Sequence, residues 1–425
     1  MKVLVIGSGG REHAIVRKAL ASSLVAEVHC APGNAGIALQ AVCHSIADSD
    51  IPGLLGLARR LDPGLVVIGP EAPLCAGLGD TLRDAGYKVF GPGREAAMLE
   101  GSKGFAKEVM IVAGVPTAGY ARFIEYQRAM AHLSAITFPV VVKANGLAAG
   151  KGVIIAEAMA EAEDALRSCF VDRSFGDAGL DVLVEECLVG HECSVLALCD
   201  GETILPLEPA QDYKRIYEGD YGPNTGGMGC YSPVPRVPSQ LVDEIIDMVH
   251  RPTVAELARR GIEFKGVLYA GLMLTAAGPR VLEFNTRFGD PETQAILPRL
   301  ENDLVELMLA CVDGTLPAHK LRWKDECCVT VIMASAGYPL SSGKGDVISG
   351  LELDGGLPGV EVFHAGTAEE DGRLITNGGR VLAISALDRC FKGARAKAYD
   401  AVGKIRFDGM QFRGDIAEEP ARTEG

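Results

Sequence analysis

The segment over residues 138–155 constrains the fold most: an apolar run ending at Lys143, a turn of small residues over 145–151, and a second apolar run. Small residues let backbone N–H groups close around an anion, and the two lysines supply charge, so the segment is suited to phosphate. A P-loop would need its glycines to run into a helix, with Ser or Thr after the lysine to hold magnesium. Here Gly152 follows Lys151, and Val153, Ile154 and Ile155 read as a strand. A mobile glycine-rich hairpin closing over a nucleotide is therefore expected in place of a Walker site.

The flanking sequence predicts an α/β and α+β multidomain chain. Residues 3–6 read as a buried strand, Gly7-Ser8-Gly9-Gly10 as a turn, 11–20 as a helix and 25–31 as the next strand. A third strand at 65–68 leads into Gly69-Pro70-Glu71-Ala72-Pro73-Leu74, and a fourth at 88–90 ends at Gly91-Pro92-Gly93. Strands alternating with helices imply a parallel sheet whose ligand loops gather at the strand C-terminal ends. A helix at 102–113, the hairpin, a helix near 159–169 and a strand at 182–186 form an expected lid. Asp200-Gly201 between two apolar runs predicts an antiparallel hairpin. From residue 327 onward, strands at 328–333, 360–364 and 380–386 and a helix near 391–405 predict a separate α+β unit. The 425 residues exceed one ordinary core, and the expected units are 1–101, 102–325 with a lid at about 121–189, and 326–425.

Composition narrows the partners. With 56 Asp plus Glu against 41 Lys plus Arg, broad nucleic-acid binding is not expected, and an anionic ligand must be caught by local basic groups. The twelve cysteines show neither C-x-x-C pairs nor zinc spacing, which predicts reduced core thiols. Residues 1–6 are too short an apolar run for a signal peptide, and no later run approaches a membrane span. A cytoplasmic enzyme acting on small molecules is the expectation.

Alternation along 140–143 sets Val140 and Val142 on one face and Val141 with Lys143 on the other, so the Lys143 ammonium can project from the sheet toward a phosphate oxygen. Lys151 and Lys103 could serve similarly, against the ordinary alternative of solvated lysines. The strand ending at Glu185-Glu186-Cys187-Leu188, before Gly190-His191-Glu192, could present backbone groups to a purine edge and a carboxylate to ribose, or be a solvated acidic turn. In Val281-Leu282-Glu283-Phe284-Asn285, Leu282 and Phe284 are expected in the core, with Glu283 and Asn285 together on the other face. Two oxygen ligands on one rigid strand suit magnesium, which completes its shell with water and phosphate; Arg287, Asp290 and Glu292 extend this polar end. The loop over 222–229 carries four glycines that let backbone approach a small ligand. Gly7-Ser8-Gly9-Gly10 fits a sugar phosphate at a helix N-terminus, with Arg11 as charge partner, better than NAD.

Together these segments resemble the ATP-grasp superfamily. Gly9-Gly10-Arg11-Glu12-His13, Ala31-Pro32-Gly33-Asn34-Ala35-Gly36, the Gly69 to Leu74 and Gly146 to Gly152 motifs, the 222–229 loop and the stretch from Glu283 to Gln294 are similar, in order, to the phosphoribosylamine-glycine ligase (glycinamide ribonucleotide synthetase) family. Phe363-His364-Ala365-Gly366-Thr367 and Thr376-Asn377-Gly378-Gly379-Arg380-Val381 carry the resemblance into the last unit. It implies ATP-dependent ligation of glycine to 5-phosphoribosylamine through glycyl phosphate, with Mg2+ or Mn2+, in a cytoplasmic monomer. On this resemblance Lys103, Lys143 and Lys151 offset phosphate charge, Glu185 and Leu188 take adenine, and Glu192 takes ribose. Glu283 and Asn285 hold the metal; Arg287 grips a carboxylate or acyl phosphate; Gly9, Gly10, Arg11, Asn34, Glu71 and Asp212 lie on the substrate side. Asn145 departs from the aspartate expected in this family, and Cys193 and Cys230 stand where small residues are expected. The competing readings are another ATP-grasp ligase or carboxylase of purine biosynthesis and a nicotinamide-dependent oxidoreductase built on the first βαβ unit.

Overall fold

The structure is a computed structural model that describes residues 1–148, 152–351 and 359–423. The near-continuous apolar runs of the N-terminal third form a five-stranded parallel sheet in the order Val42–Cys43, Glu27–Pro32, Lys2–Gly7, Leu65–Ile68, Val89–Phe90. Helices on both faces bury it, which is why these strands lack polar alternation. The expected strand at 65–68 is present, but it is the fourth in sequence. The two-residue strand Val42–Cys43 precedes it and is too short to leave a periodic signal.

The lid is a four-stranded sheet in the order Tyr120–Phe123, Val182–Glu186, Val140–Ala144, Val153–Ala156. Val140, Val142, Val182 and Val184 point into the lid's own apolar cluster, packed by Leu133, Leu166 and Cys169 from two helices. The central antiparallel sheet runs Ile204–Pro206, His191–Asp200, Lys265–Thr275, Gly278–Asn285. Its expected hairpin is present: Gly201 takes φ +102°, while Asp200 Oδ1 accepts from Thr203 N at 2.7 Å and closes the turn.

The last unit has a three-stranded sheet of its own, Lys344–Val347, Arg373–Asn377, Thr367–Glu370, while its larger sheet is shared with the middle of the chain. Cys327–Ala334, Arg380–Asp388 and Val360–His364 are extended by Gly229–Ser232 and Gln211–Asp212 from the middle of the chain. Strand pairing leaves an edge that must be covered, and the middle segment covers it. A single apolar cluster accordingly runs from Val3 and Ile15 through Leu196 and Val305 to Ile332 and Phe363. Among the described residues no helix is long and apolar enough to cross a membrane. All twelve cysteines are free.

The first and last thirds of the chain meet at two buried histidines. His364 N donates to His13 Nδ1 at 2.8 Å, and Asn34 Nδ2 donates to the carbonyls of Ser8 and His364, both at 2.8 Å. Burial keeps both imidazoles neutral, pushing His13 well below its ordinary value and His364 down to about 4, with Arg17 adding repulsion at each. Below pH about 6.5 the unfolded chain therefore binds protons that folded His364 refuses, and stability falls by about 1.4 kcal/mol per pH unit until roughly pH 4. His364→Gln cannot charge and retains the backbone bonds. Its stability deficit relative to the parent, measured by urea unfolding, should shrink by about 2 kcal/mol between pH 7.5 and pH 5.

Candidate active site

A cleft of about 810 Å³ opens between the lid, the central sheet and the third unit. That volume suits a nucleotide-sized ligand. Four lysines line it, and on the lid side the hydrogen bonds of Lys103, Lys107 and Lys143 separate their roles, because an ammonium has three N–H donors. Lys107 uses all three, on Thr117 Oγ1 at 2.9 Å, Ala118 O at 3.2 Å and Glu185 Oε2 at 3.0 Å. Lys143 hydrogen-bonds Leu282 O at 3.0 Å and is ion-paired with Glu185 Oε2, also at 3.0 Å. Lys103 uses one, on Gly146 O at 3.3 Å, and burial lowers its pKa against the pull of Glu283. Open N–H groups thus remain on Lys143 and Lys103, as the alternation predicts for Lys143, while Lys107 is structural. Lys151 lies outside the described residues.

Glu185 takes both ammonium groups on Oε2, and its Oε1 is buried with no partner among the described residues. Leu188 and Glu192 line the same wall, and His191 is exposed at its rim. Burial pushes Glu192 up to about 7, with Lys214 opposing and Asp212 adding to the shift.

Across the cleft, the expected inward side chain of Leu282 is displaced. The pairing of Lys265–Thr275 with Gly278–Asn285 slips between Gly271↔Glu283 and Leu272↔Val281, leaving Leu282 as the extra residue of a bulge. Val281 and Phe284 take the core, and Leu282 lines the cleft with Glu283 and Asn285. Glu283 has no hydrogen-bond or ion-pair partner among the described residues. Burial would raise its pKa, but Lys214, Lys103, Lys143 and Arg287 outweigh it and hold the carboxylate ionised. Asn285 Oδ1 accepts from Arg287 Nη2 at 3.2 Å and keeps a second lone pair. An unspent carboxylate beside an amide oxygen fits a magnesium that takes few protein ligands. Among the described residues no group of three or more His, Cys, Asp or Glu is placed to hold a metal.

Arg287 is not the free grip that its position suggested. Its Nε donates to Glu71 Oε2 at 3.2 Å and Nη1 to Phe288 O at 3.2 Å, and Nη2 pairs with Glu100 Oε1 at 2.7 Å as well as Asn285. Three of its five N–H groups are hydrogen-bonded, and the ion pair to Glu100 holds the same guanidinium. Burial would raise the pKa of Glu71, but Arg287 and Arg11 draw it down to about 2. Glu100 also accepts from Thr286 N at 2.8 Å.

The glycine turn likewise differs from its expected role. Gly9 N donates to Glu12 Oε2 at 2.6 Å, and Arg11 Nε to Glu12 Oε1 at 2.6 Å, so the helix N-terminus already holds a carboxylate of its own chain. A Cβ at Gly7 or Gly9 would stand 2.6 or 2.8 Å from the Glu12 side chain, and one at Gly10 2.5 Å from Gln294 Nε2. The glycines make room for Glu12 and Gln294, and neither Gly9 nor Gly10 lines the cleft. Asn34 is also spent: Oδ1 caps the following turn at Ile37 N, 3.0 Å, and Nδ2 holds Ser8 and His364. Arg11 and Glu71 do line the cleft.

Asp212, the remaining expected substrate residue, pairs with Lys214 Nζ at 2.9 Å on the cleft wall. Beyond them, Glu292 Oε1 accepts from Tyr269 Oη at 2.7 Å, and Ser194 Oγ lies 2.8 Å from that hydroxyl. Asn145 explains its own departure: Oδ1 accepts from Gly104 N at 2.6 Å while Nδ2 donates to Asp181 Oδ2 at 2.7 Å. An aspartate there would face Asp181 as a like charge. Cys193 and Cys230 are fully packed in the interior. The sequence reading gave no role to Lys107, Glu100, Lys214, Tyr269 or Arg380. Lys107 left a signal, four residues beyond Lys103 on one helix face, and Arg380 stands in the Thr376 to Val381 motif.

Family descriptions of phosphoribosylglycinamide synthetase match in chain order: the N domain over residues 1–100, the ATP-grasp (A) domain over 101–293 and the C domain over 328–419. The chain is 49% identical to the phosphoribosylamine–glycine ligase of Brucella melitensis, covering 98% of this chain and 97% of that protein. It is 48% identical to that of Caldanaerobacter subterraneus, covering 98% and 99%. Among solved structures it is similar to phosphoribosylamine–glycine ligase of Thermotoga maritima, with a TM-score of 0.85, 33% identity and coverage of 98% and 100%. A biotin carboxylase domain of Hydrogenobacter thermophilus, at 18% identity and a TM-score of 0.74 over 96% and 91% of the two chains, shares the fold.

Proposed function

The chain belongs to the phosphoribosylglycinamide synthetase family, and on that premise we propose how its cleft divides between nucleotide and acceptor. It is an ATP-dependent ligase that joins glycine to 5-phosphoribosylamine in purine biosynthesis. The γ-phosphoryl group moves to a glycine carboxylate oxygen and ADP leaves. The amine then attacks the glycyl carbonyl, the bond to phosphate breaks, and glycinamide ribonucleotide forms.

Lys103 and Lys143, with open N–H groups, face the phosphates, and Lys151 joins them on the strength of the sequence. The unpartnered Glu185 Oε1 accepts the adenine amino group, Leu188 packs beside the base, and Glu192 meets the ribose hydroxyls. Bound magnesium or manganese, held by Glu283 and Asn285, would offset the charge of the phosphate oxygens. Positioning and fixed charge supply the rest of the catalysis. Arg11, Glu71, Asp212 and Arg287 form the acceptor side, with Arg287 offering a remaining N–H to an acyl or carboxylate oxygen. Gly9 and Asn34 shape that side from behind by holding Glu12 and the Ser8 carbonyl, and Gly10 leaves room for Gln294. The working unit is a cytoplasmic monomer, with residues 1–101, 102–325 and 326–425 contributing to the one cleft.

The observation that carries this division is the pairing of open ammonium groups with an unspent, ionised Glu283 across one cleft. ADP release should require glycine and 5-phosphoribosylamine together, and Mg-ATP should raise the melting temperature where NAD does not. ADP release sustained by bicarbonate or formate would transfer the chain to another ATP-grasp reaction.

A further inference from the structure

Arg380 opens the strand Arg380–Asp388 in the last third of the chain, yet its guanidinium reaches the cleft. Its Nη1 donates to Gly226 O at 2.6 Å and to Asp290 O at 2.7 Å, with Gly227 O at 3.4 Å, and Nη2 stands 3.4 Å from Asp290 Oδ1. The same unit holds the glycine loop a second time, because Gly226 N donates to Tyr338 Oη at 3.0 Å. Both backbone groups of Gly226 are therefore bonded to side chains from the last third. Small residues make this possible: a Cβ at Gly226 would stand 3.0 Å from Arg380 Cζ, and one at Gly227, where φ is +110°, 2.5 Å from Pro291 Cδ. On its other side Asp290 accepts from Gln294 Nε2 at 2.7 Å and Arg11 N at 3.4 Å. Groups from the first, middle and last parts of the chain thus converge on one carboxylate at the cleft wall.

We propose that Arg380, assisted by Tyr338, is a positioning residue for the acceptor half of the reaction, pinning the 222–229 loop to the Asp290 segment so that the gap receiving the amine substrate keeps its width. This rests on the ligase reading of the cleft. The loop has four glycines and loses much chain entropy when fixed, so it needs an external tie. Arg380 supplies two contacts to the loop from outside it, at Gly226 O and Gly227 O, and couples them to Asp290. Among the described residues Arg380 makes no bond on the nucleotide side, where Lys103 and Lys143 hold Gly146, Leu282 and Glu185; there the loop hydrogen-bonds the lid only through Asn224 Nδ2, which donates to Val153 O at 3.3 Å. Loosening the loop should therefore lower the effective concentration of the amine against glycyl phosphate and leave nucleotide binding intact.

The test uses the full chain with Arg380→Ala, Arg380→Lys and Tyr338→Phe, measuring KM for 5-phosphoribosylamine and Mg-ATP together with melting temperature. Arg380→Ala should raise KM for the amine at least about tenfold with KM for Mg-ATP within about twofold, and guanidinium ion in the buffer should restore part of the loss. Arg380→Lys should fall between parent and alanine, and it carries the test if the alanine variant does not fold. Tyr338→Phe should shift the amine KM by about threefold, the share of one hydrogen bond. Equal changes in both KM values, or a lowered melting temperature with neither KM altered, would overturn the proposal. A parent enzyme that released no ADP with both cosubstrates would instead overturn the ligase reading itself.

Discussion

Lys143→Ala should lower ATP-dependent turnover at least about a hundredfold, equivalent to about 2.7 kcal/mol of lost transition-state stabilisation, with the fold retained. The ammonium is buried to 5% exposure, fixed by Leu282 O and Glu185, and keeps an open N–H at the cleft. A charge held in place before the ligand arrives needs no reorganisation when the phosphoryl group moves. Removing it still leaves Glu185 paired with Lys107 at 3.0 Å, so the lid retains its internal ion pair. Lys107→Ala provides the contrast. That side chain spends all its donors inside the protein, and its loss should cost about 3–5 kcal/mol of stability through a weakened buried pair. Steady-state kinetics and urea unfolding on both variants separate the roles. Undiminished turnover in Lys143→Ala would remove it from the phosphate site.

Glu283→Ala should raise the magnesium concentration for half-maximal ADP release by about ten- to a hundredfold. Most other acids of the cleft are already committed: Asp212 to Lys214, Glu71 and Glu100 to Arg287, Glu185 to two lysines, Glu292 to Tyr269. Glu192 and Glu283 have no hydrogen-bond or ion-pair partner among the described residues, and their surroundings push them apart. Burial brings Glu192 to about 7, which suits hydrogen bonding to hydroxyls, whereas four nearby cations keep Glu283 ionised and suited to a metal. A magnesium titration of ADP release, repeated as Mg-ADP protection against heat, checks the assignment independently of turnover. An unchanged titration in the variant would strike Glu283 from the ligands.

These two residues were legible because strand geometry is local. Val140, Val142 and Lys143 fall on the faces that alternation assigns, and Glu283 with Asn285 reaches the cleft. Leu282 escaped the same rule because a bulge, set by pairing with the neighbouring strand, resets the alternation by one residue. Arg287 lines the cleft with its donors already committed, and the Gly9-Gly10 turn lies outside the cleft lining. Glu71, Glu100 and Glu12 reach them first.

The sequence by itself determined the parallel first unit, the strands of the hairpin with the face of Lys143, and, through ordered motifs, the family. Tertiary structure alone decided which charges are spent and which remain open to a ligand. Lys107 is closed by a carboxylate 78 residues away, and Arg380 ties a loop 154 residues before it. Side-chain direction follows from backbone periodicity within a few residues, but the saturation of a buried ammonium or guanidinium depends on acceptors that only the folded chain brings within about 3 Å.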